Sequence, residues 1–483
     1  MASLKKEITN GVFWIAIAKY SGIVVQLLIT AVLARHISPA AFGTIAVAMV
    51  VLHFLNILAD IGIGPAVVQY KQLTKLHLDS LFTLTIYIGI VLSLALYFSS
   101  GVISVYYEDN ILKRVCQMMV AVIFFNALNV VPNALMRKDK RFRTIALRTL
   151  FFQVISGAIA VWGSLNGWGI YALLVSPILT AVGVFCVNYW HYPLRFVFRM
   201  DSGAVNTVAS FSTFQFAFSF FNYFSRNLDK LIIGKYFSMT QLGYYDKSYH
   251  LMMLPLQNVT FVIEPVLHPI LSSLQNNKSE LGEKNRKLAV IISNISFPIG
   301  LILFFCGGEI IRIVYGGQWD AAIPVFRILA LSLPLQMILS TIGSIYQAAG
   351  NTKHMFLSGI LNTFCTVSGF FIAAHWGDAI ESMAWAWNIT LCINFLNSYF
   401  IIHAFTLKIS SKSFYRALVP QIINSVIVFL IIFFISEYLN DMELIVRLLV
   451  KFLFVISLSL MLGTIFGQYD FRGLFKVLKK YKQ

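Results

Sequence analysis

Long apolar runs recur along the whole chain and are separated by short polar segments. A helix that crosses the hydrocarbon core of a bilayer needs about 20 mainly apolar residues. Runs of that kind cover residues 11–34, 42–63, 81–104, 115–136, 147–165, 168–190, 208–235, 242–271, 288–315, 321–349, 355–375, 379–405, 416–437 and 444–467. The pattern therefore predicts an all-α, polytopic transmembrane bundle of about 14 helices.

The charges of the predicted loops alternate in sign along the chain. One set of loops, together with the C-terminal tail, contains most of the basic residues: Lys71, Lys75, Arg137, Lys138, Lys140, Arg141, Arg143, Arg195, Arg199, Lys278, Lys284, Arg286, Lys287, Lys353, Lys408, Lys412, Arg472, Lys476, Lys479, Lys480 and Lys482. The other set is mainly acidic: Glu108, Asp109, Asp320, Asp378, Glu381, Glu437, Asp441 and Glu443. Because Lys and Arg are enriched in cytoplasmic loops, we predict an even number of spans with both termini in the cytoplasm.

Parts of the first half of the chain recur in the second half. Residues 34–38 and 42–43 resemble residues 234–238 and 242–243, at an offset of 200, and later matches lie at an offset of 214. An even number of helices per repeat gives two lobes with the same orientation, and such lobes enclose the substrate path of many transporters. We predict two pseudo-symmetric six-helix lobes, residues 1–200 and 201–405, and two additional helices with a basic tail in residues 406–483.

Composition excludes most soluble functions. Apolar residues make up 58% of the chain, only 12% are charged, and the mean hydropathy is +0.77. The net charge of +17 is explained by the basic loops, so we expect no nucleic-acid partner. No GxxxxGK[ST] loop, HExxH motif or large extramembrane segment occurs. The sequence thus favours transport over enzymatic catalysis and predicts neither a cofactor nor a metal site.

Charged residues inside predicted spans are the best candidates for a functional site. An ionisable group in a bilayer is costly, so it usually faces a wet cavity or a charged partner. The seventh span places Asn222, Arg226, Asp229 and Lys230 at i, i+4, i+7 and i+8, which is one face of a helix. We interpret this polar stripe as the lining of a cavity; a purely structural Arg226–Asp229 pair is the alternative.

Further charges lie in other spans. Lys19 stands alone in the first span, and Asp60 precedes the helix-breaking sequence Gly62–Pro65. For Asp60, an ordinary helix cap is the alternative to an ion site. Glu309 and Arg312 are three residues apart, and we expect them to form a structural pair.

The order of several motifs resembles a known family. They are Gly11–Trp14, Leu33–Gly43, Asp60–Ala66, Val68–Gln69, Asn227–Gly234, Leu242–Tyr245, Pro265, Pro269, Tyr315–Gly316, Trp319, Pro324 and Ala349–Gly350. Over residues 8–400 the chain resembles the bacterial polysaccharide (O-antigen, capsule and exopolysaccharide) flippases of the multidrug/oligosaccharidyl-lipid/polysaccharide exporter superfamily. The resemblance implies a V-shaped cavity between two lobes, alternating access, and a place in the bacterial inner membrane.

The implied substrate is an undecaprenyl-pyrophosphate-linked oligosaccharide, which is turned from the cytoplasmic to the periplasmic leaflet. Basic side chains are expected to pair with its phosphates: Arg226, Lys230, Lys247, Lys19 and Arg327. Polar and aromatic side chains are expected to contact its sugars: Asn222, Tyr223, Tyr244 and Tyr245. Asp229 or Asp60 is the candidate for coupling to H⁺ or Na⁺, and membrane lipids surround the prenyl tail.

Three other functions remain open at this point. A drug or cation antiporter of the same superfamily would need an acidic cavity, whereas this one is predicted to be basic. A lipid II flippase shares the fold and an anionic substrate, and only the motifs argue against it. A membrane glycan polymerase or ligase is the more remote alternative, because such enzymes need a large periplasmic loop.

Overall fold

The computed structural model describes residues 2–70, 72–198, 223, 226–272, 274–275, 277–439 and 441–467. These residues form helices joined by short turns, with no strand among them. Ten of the described helices are long and apolar enough to cross a membrane, and a bent pair of segments makes an eleventh span if it is counted as one. The prediction of an all-α polytopic membrane protein is confirmed.

The described part of the first half contains eight helices. They are α1 (Ala2–His36), α2 (Pro39–Asp60), α3 (Ile63–Gln69), α4 (Lys75–Tyr107), α5 (Asn110–Lys138), α6 (Phe142–Leu165), α7 (Ile170–His191) and α8 (226–236). The seventh predicted span, 208–235, lies mostly outside the described residues.

The second half continues with a long helix and a series of shorter ones. They are α9 (Met239–Ser272), α10 (Lys278–Phe305), α11 (Gly307–Val314), a 3-10 helix (Gly317–Ala322), α12 (Ile323–Ala330), α13 (Leu333–Leu339), α14 (Ile342–Ala348), α15 (Thr352–Trp376), α16 (Glu381–Ile401), a π-helical turn (Ile402–Leu407), α17 (Lys412–Tyr438) and α18 (Leu444–Ile465).

Local sequence explains several helix ends. Ser38 caps α2 by accepting a hydrogen bond from the Ala41 amide, and Pro39 occupies the first turn, where a missing N–H costs nothing. The helix ends at Asp60 because Ile61 and Gly62 adopt positive φ angles of 40° and 78°. The break that the Gly62–Pro65 sequence predicts is therefore present.

The ninth and tenth predicted spans differ from the observed helices. The predicted span 288–315 is divided at Cys306 into α10 and α11. The predicted span 321–349 consists of short helices with a bend of 46°, and Pro324 and Pro334 each lie in the first turn of one of them. Proline cannot continue a preceding helix without losing a hydrogen bond, which accounts for these breaks.

The chain divides into two compact units. Unit 1 comprises Met1–Gly243 and Val314–Gln318, and unit 2 comprises Tyr244–Ile313 and Trp319–Gln483. The predicted boundaries of the two lobes, near residues 200 and 405, stay a prediction.

In unit 1, amides and small residues join neighbouring helices. Asn56 pairs with Asn126 at 3.1 Å, and Asn129 pairs with Asn188 at 2.6 Å. Gly157 lets the Ile29 side chain of α1 approach α6 so closely that an added Cβ would lie 1.9 Å from it. Close backbone approach and interhelical hydrogen bonds are the usual means by which helices associate in lipid.

In unit 2, the last two helices pack on α10. A buried apolar cluster contains Leu301 and Phe305 of α10, Val428 and Ile432 of α17, and Val455 of α18. The C-terminal pair of helices is thus an integral part of this unit.

Candidate functional site

The predicted polar stripe begins just before α8. Arg226 is exposed, Lys230 is half-buried, and Asp229 is only 2% exposed. The Lys230 amide donates a hydrogen bond of 2.8 Å to Oδ1 of Asp229. Asn222 lies outside the described residues. The described members of the stripe therefore differ in environment: two cations reach the surface, while the carboxylate between them is enclosed.

Tyr223 joins this segment to α2. Its hydroxyl donates to the Val50 carbonyl, and its ring stacks on Phe54 with the centroids 6.4 Å apart. The Lys230 ammonium lies within electrostatic range of both Tyr223 and His53 of α2. Tyr223 and the described residues 226–230 thus lie beside the part of α2 around His53, and we call this region the α2–α8 face.

His53 was missed by the sequence analysis. It and Asp60 are the only titratable residues of α2, whose other positions are mainly apolar. A titratable residue inside an otherwise apolar span was the sequence feature that could have identified His53. Because imidazole changes charge near neutral pH, His53 adds a third titratable nitrogen group to the α2–α8 face.

The end of α8 is anchored by an ion pair. The Lys235 ammonium lies 3.0 Å from Glu108 and 2.8 Å from the Tyr106 carbonyl, and it sits 5.0 Å from the centre of the Tyr106 ring. These contacts connect α8 to the turn between α4 and α5. The other two cations of α8, Arg226 and Lys230, belong to the α2–α8 face.

Asp60 and Lys19 occupy other parts of unit 1. Asp60 accepts a 2.8 Å hydrogen bond from the Gly64 amide, and Arg137 is its cationic neighbour. This carboxylate closes the turn between α2 and α3, as the cap alternative proposed. Lys19 is half-buried on α1. A role for either residue in substrate or ion binding stays a prediction.

The remaining candidates belong to unit 2. Tyr244 is half-buried and packs edge-on against Trp319, and Lys247 lies 3.4 Å from Asp246. Tyr245 has no exposed surface and stacks on the ring of Tyr249. Contacts of these residues with substrate stay a prediction.

Arg327 is the last of these candidates and lies beside the start of α11. Its Cγ would be only 3.2 Å from a Cβ added to Gly307. Its Nε atom is buried without a hydrogen-bond partner among the described residues.

The expected pairing of Glu309 with Arg312 is wrong. Glu309 instead forms ion pairs with Arg447 at 2.6 Å and Lys451 at 2.8 Å, both on α18, and Arg312 forms a two-pronged pair with Asp320 at 2.8 Å. The spacing of Glu309 and Arg312 along α11 made a local pair possible, but the tertiary fold brings two cations of α18 to Glu309.

We predict that the α2–α8 face binds an anion. Arg226 and Lys230 carry two positive charges against the single buried carboxylate of Asp229. Their N–H groups form charge-assisted hydrogen bonds, which are about twice as strong as neutral ones. A phosphate-bearing headgroup would be neutralised there.

Comparison with known proteins decides the family. A model of the polysaccharide biosynthesis protein family matches residues 32–324, which is more than half of the chain. This chain belongs to that family. The match includes α2, the described part of α8, and thus the whole α2–α8 face.

Other members of the family align over most of their length. The chain is 23% identical over 422 residues to the teichuronic acid biosynthesis protein TuaB of Bacillus subtilis, with 86% of each chain covered. It is 26% identical over 410 residues to the lipopolysaccharide biosynthesis protein WzxC of Escherichia coli, covering 83% of this chain and 81% of that protein. The succinoglycan biosynthesis transport protein ExoT of Rhizobium meliloti is 24% identical over 394 residues, with 80% and 78% covered.

Solved structures show the fold of this family member. The lipid II flippase MurJ in an inward closed conformation has a TM-score of 0.74 at 16% identity, with 96% of this chain and 100% of that chain covered. A multidrug resistance MATE transporter of the MOP superfamily, in an inward-facing conformation, has a TM-score of 0.59 at 13% identity, with 82% and 99% covered. These similarities show that the chain shares the polytopic helical fold of both structures.

Proposed function

We propose that this protein is a flippase that moves an undecaprenyl-pyrophosphate-linked oligosaccharide from the cytoplasmic to the periplasmic leaflet. The observation that carries the proposal is the family match, supported by alignments that span more than three quarters of relatives named for polysaccharide biosynthesis or transport. The helical fold it shares with a lipid II flippase is compatible with moving a lipid-linked sugar. The protein acts as a transporter and not as an enzyme.

The physical task is to carry charge and hydroxyl groups through hydrocarbon. Each unsatisfied polar group costs several kcal/mol there, so unassisted crossing of a sugar-bearing pyrophosphate is very slow. Arg226 and Lys230 offer the phosphates positive charge and N–H donors in place of water. The prenyl tail needs no such help and stays in the lipid.

Alternating access between two lobes is the mechanism that we infer for this movement. The internal repeat favours lobes of residues 1–200 and 201–405, with residues 406–483 added to the second. In this scheme Lys19, Lys247 and Arg327 supply further positive charge along the path, and Asn222, Tyr223, Tyr244 and Tyr245 contact the sugars.

Asp229 is the candidate for ion coupling. It is a carboxylate that is 2% exposed and lies between two cations of the anion-binding surface. Protonation or Na⁺ binding at this carboxylate would change the net charge beside the substrate. Asp60 is the second candidate, although its bond to the Gly64 amide already gives it a structural role.

Transport by reconstituted vesicles tests the substrate site. We expect Arg226→Ala and Lys230→Ala each to lower the rate at which a labelled lipid-linked oligosaccharide is flipped by tenfold or more, since a hydrogen bond to a charged group contributes about 1.5–3 kcal/mol. Arg114→Ala is the matched control, because Arg114 is an exposed cation on α5 of the same unit. All variants should insert and elute from size-exclusion columns like the parent protein.

Two results would contradict the proposal. Flipping at the parental rate in both variants would show that the α2–α8 face does not bind the headgroup. Flipping of lipid II at the same rate as the lipid-linked oligosaccharide would favour the lipid II flippase instead. Exchange of organic cations without oligosaccharide movement would favour the drug antiporter.

A further inference from the structure

A groove of about 730 Å³ lies on unit 1, formed by α6 and by Val187 of α7. Seven of its eight lining residues are apolar, and the eighth is Arg148. Leu147, Phe151 and Val154 on its wall are each about half exposed. Large apolar side chains exposed on a membrane-spanning helix face lipid, so the groove is accessible from the surrounding bilayer.

Arg148 is a buried cation that the sequence analysis did not single out. It is 7% exposed, and its Nη2 donates to Oδ1 of Asn133 at 2.8 Å. Its Nε and Nη1 atoms have no hydrogen-bond acceptor among the described residues. No carboxylate of the described chain forms an ion pair with it, and its charged neighbour Arg137 is also a cation. Such a group is strongly disfavoured unless an anion compensates it.

The groove has one charged end and one apolar end, as a phospholipid molecule does. Arg148 is the seventh residue of α6, roughly 9 Å along the helix axis from its start, and the apolar wall continues to Ile155, roughly 10 Å further. The preceding segment, residues 137–143, has five basic residues and one acid. A charged end near the membrane surface is thus followed by an apolar channel toward the bilayer centre.

We propose that this groove binds an anionic phospholipid, with the phosphate at Arg148 and one acyl chain along Leu147, Phe151 and Ile155. Basic pockets between membrane helices commonly hold such headgroups, and nearby Lys and Arg residues concentrate anionic lipid at the surface. A sugar-bearing pyrophosphate fits less well, because an almost wholly apolar wall offers its hydroxyl groups no donors or acceptors. The inference is independent of the proposed transport function.

Lipid retention by the purified protein tests the site. The protein, washed in mild detergent, is incubated with phosphatidylglycerol or with phosphatidylethanolamine, and bound lipid is counted by native mass spectrometry. We expect the parent to retain phosphatidylglycerol in preference, and Arg148→Gln to reduce that retention about tenfold. Arg114→Gln removes the same charge from an exposed position on α5, outside both the groove and the basic segment 137–143, so it should retain lipid like the parent.

A second variant tests the acyl-chain part of the groove and keeps all charges. Val154→Trp fills the groove and should reduce retention of phosphatidylglycerol at least fivefold. Val105→Trp places the same ring on α4, at a residue that is 78% exposed and outside the groove, and should have no effect. If Arg148→Gln does not fold, the comparison of Val154→Trp with Val105→Trp tests the proposed lipid site by itself.

Three outcomes of these retention measurements would overturn the proposal. They are equal retention by Arg148→Gln and Arg114→Gln, equal retention of the two phospholipids by the parent, and parental retention by Val154→Trp. Displacement of phosphatidylglycerol by a stoichiometric amount of an isoprenoid pyrophosphate would also reject it, since the groove would then belong to the transport substrate.

Discussion

At the scale of single residues, the charges buried in unit 2 show how this protein accommodates ions in a membrane. Glu309 is 2% exposed and Lys451 is 4% exposed. One oxygen of Glu309 forms ion pairs with both Lys451 and Arg447, and Lys451 also donates to the Phe305 carbonyl at 3.3 Å. The cluster connects α11 to α18, so it fixes the last helix to the rest of unit 2.

Removing the carboxylate should be strongly destabilising. Glu309→Gln leaves the buried Lys451 and the half-buried Arg447 facing a neutral group, and breaking a buried ion pair costs about 3–5 kcal/mol. We expect a clear fall in the thermal unfolding midpoint of the detergent-purified protein. Glu283→Gln is the control: it breaks an exposed i,i+4 pair with Lys287, and exposed pairs of this kind contribute little to stability.

A triple variant separates charge from packing at this cluster. Replacing Glu309, Arg447 and Lys451 together by Met removes the desolvation cost of all three charges, so the triple variant should be more stable than Glu309→Gln alone. If Glu309→Gln and Glu283→Gln unfold at the same temperature, the cluster does not stabilise the fold.

At the scale of helices, two glycines that correspond in the predicted repeat lie in contact. Gly43 of α2 and Gly243 of α9 are 200 residues apart, and each lies four residues into its helix, after a serine that caps it. A Cβ on Gly43 would lie 1.8 Å from the Met239 carbonyl oxygen, and a Cβ on Gly243 would lie 2.0 Å from that of Pro39. Residues 39–43 and 239–243, all within unit 1, therefore contact each other reciprocally.

Substitution of either glycine by alanine should weaken this contact. The clashing atoms are backbone atoms that cannot rotate away, and overpacking of this kind costs about 1–3 kcal/mol. We expect both Gly43→Ala and Gly243→Ala to lower the thermal midpoint by similar amounts. Gly101→Ala, inside α4 with no atom within 4 Å of its added Cβ, should instead raise stability by up to about 1 kcal/mol, the helix-propensity gain. Parental stability in the first two variants would refute the reciprocal contact.

At the scale of the whole molecule, the alternation of loop charge is the main evidence for orientation. The turn between α5 and α6 is basic, whereas the turns after α15 and α17 carry Asp378, Asp441 and Glu443. Each of these turns joins helices long enough to cross a membrane. By the positive-inside rule, we expect the basic turn to be cytoplasmic and the acidic ones to be periplasmic.

Cysteine labelling in intact cells checks this orientation. In a background with the five native cysteines replaced, Lys140→Cys should react with a membrane-permeant maleimide and not with an impermeant one. Asp378→Cys, on an exposed turn of the opposite charge, should react with both reagents. Labelling of Lys140→Cys from outside would reverse the predicted topology and the direction of transport inferred from it.

The fold was largely predictable from sequence, and the site less so. Apolar runs of spanning length, the Ser38 cap and the break after Asp60 all depend on residues close together in the chain, so local pattern was sufficient. The division of the predicted ninth span at Cys306 was not foreseen, because its apolar run continues through the break. His53 and Arg148 were missed because each lies within the apolar run of its helix, and only the packed structure shows which groups surround it.

The sequence by itself determined that this is a helical membrane protein, where most of its helices run, and which family its motifs resemble. Those properties depend on local hydrophobic periodicity and on the free energy of placing each segment in lipid. Only the tertiary structure decided how the charges are partnered: Glu309 binds Lys451, 142 residues away, rather than Arg312 beside it. The physical reason is that a buried charge is stabilised by whichever opposite charge folding brings nearest in space, and sequence spacing does not specify which helices become neighbours.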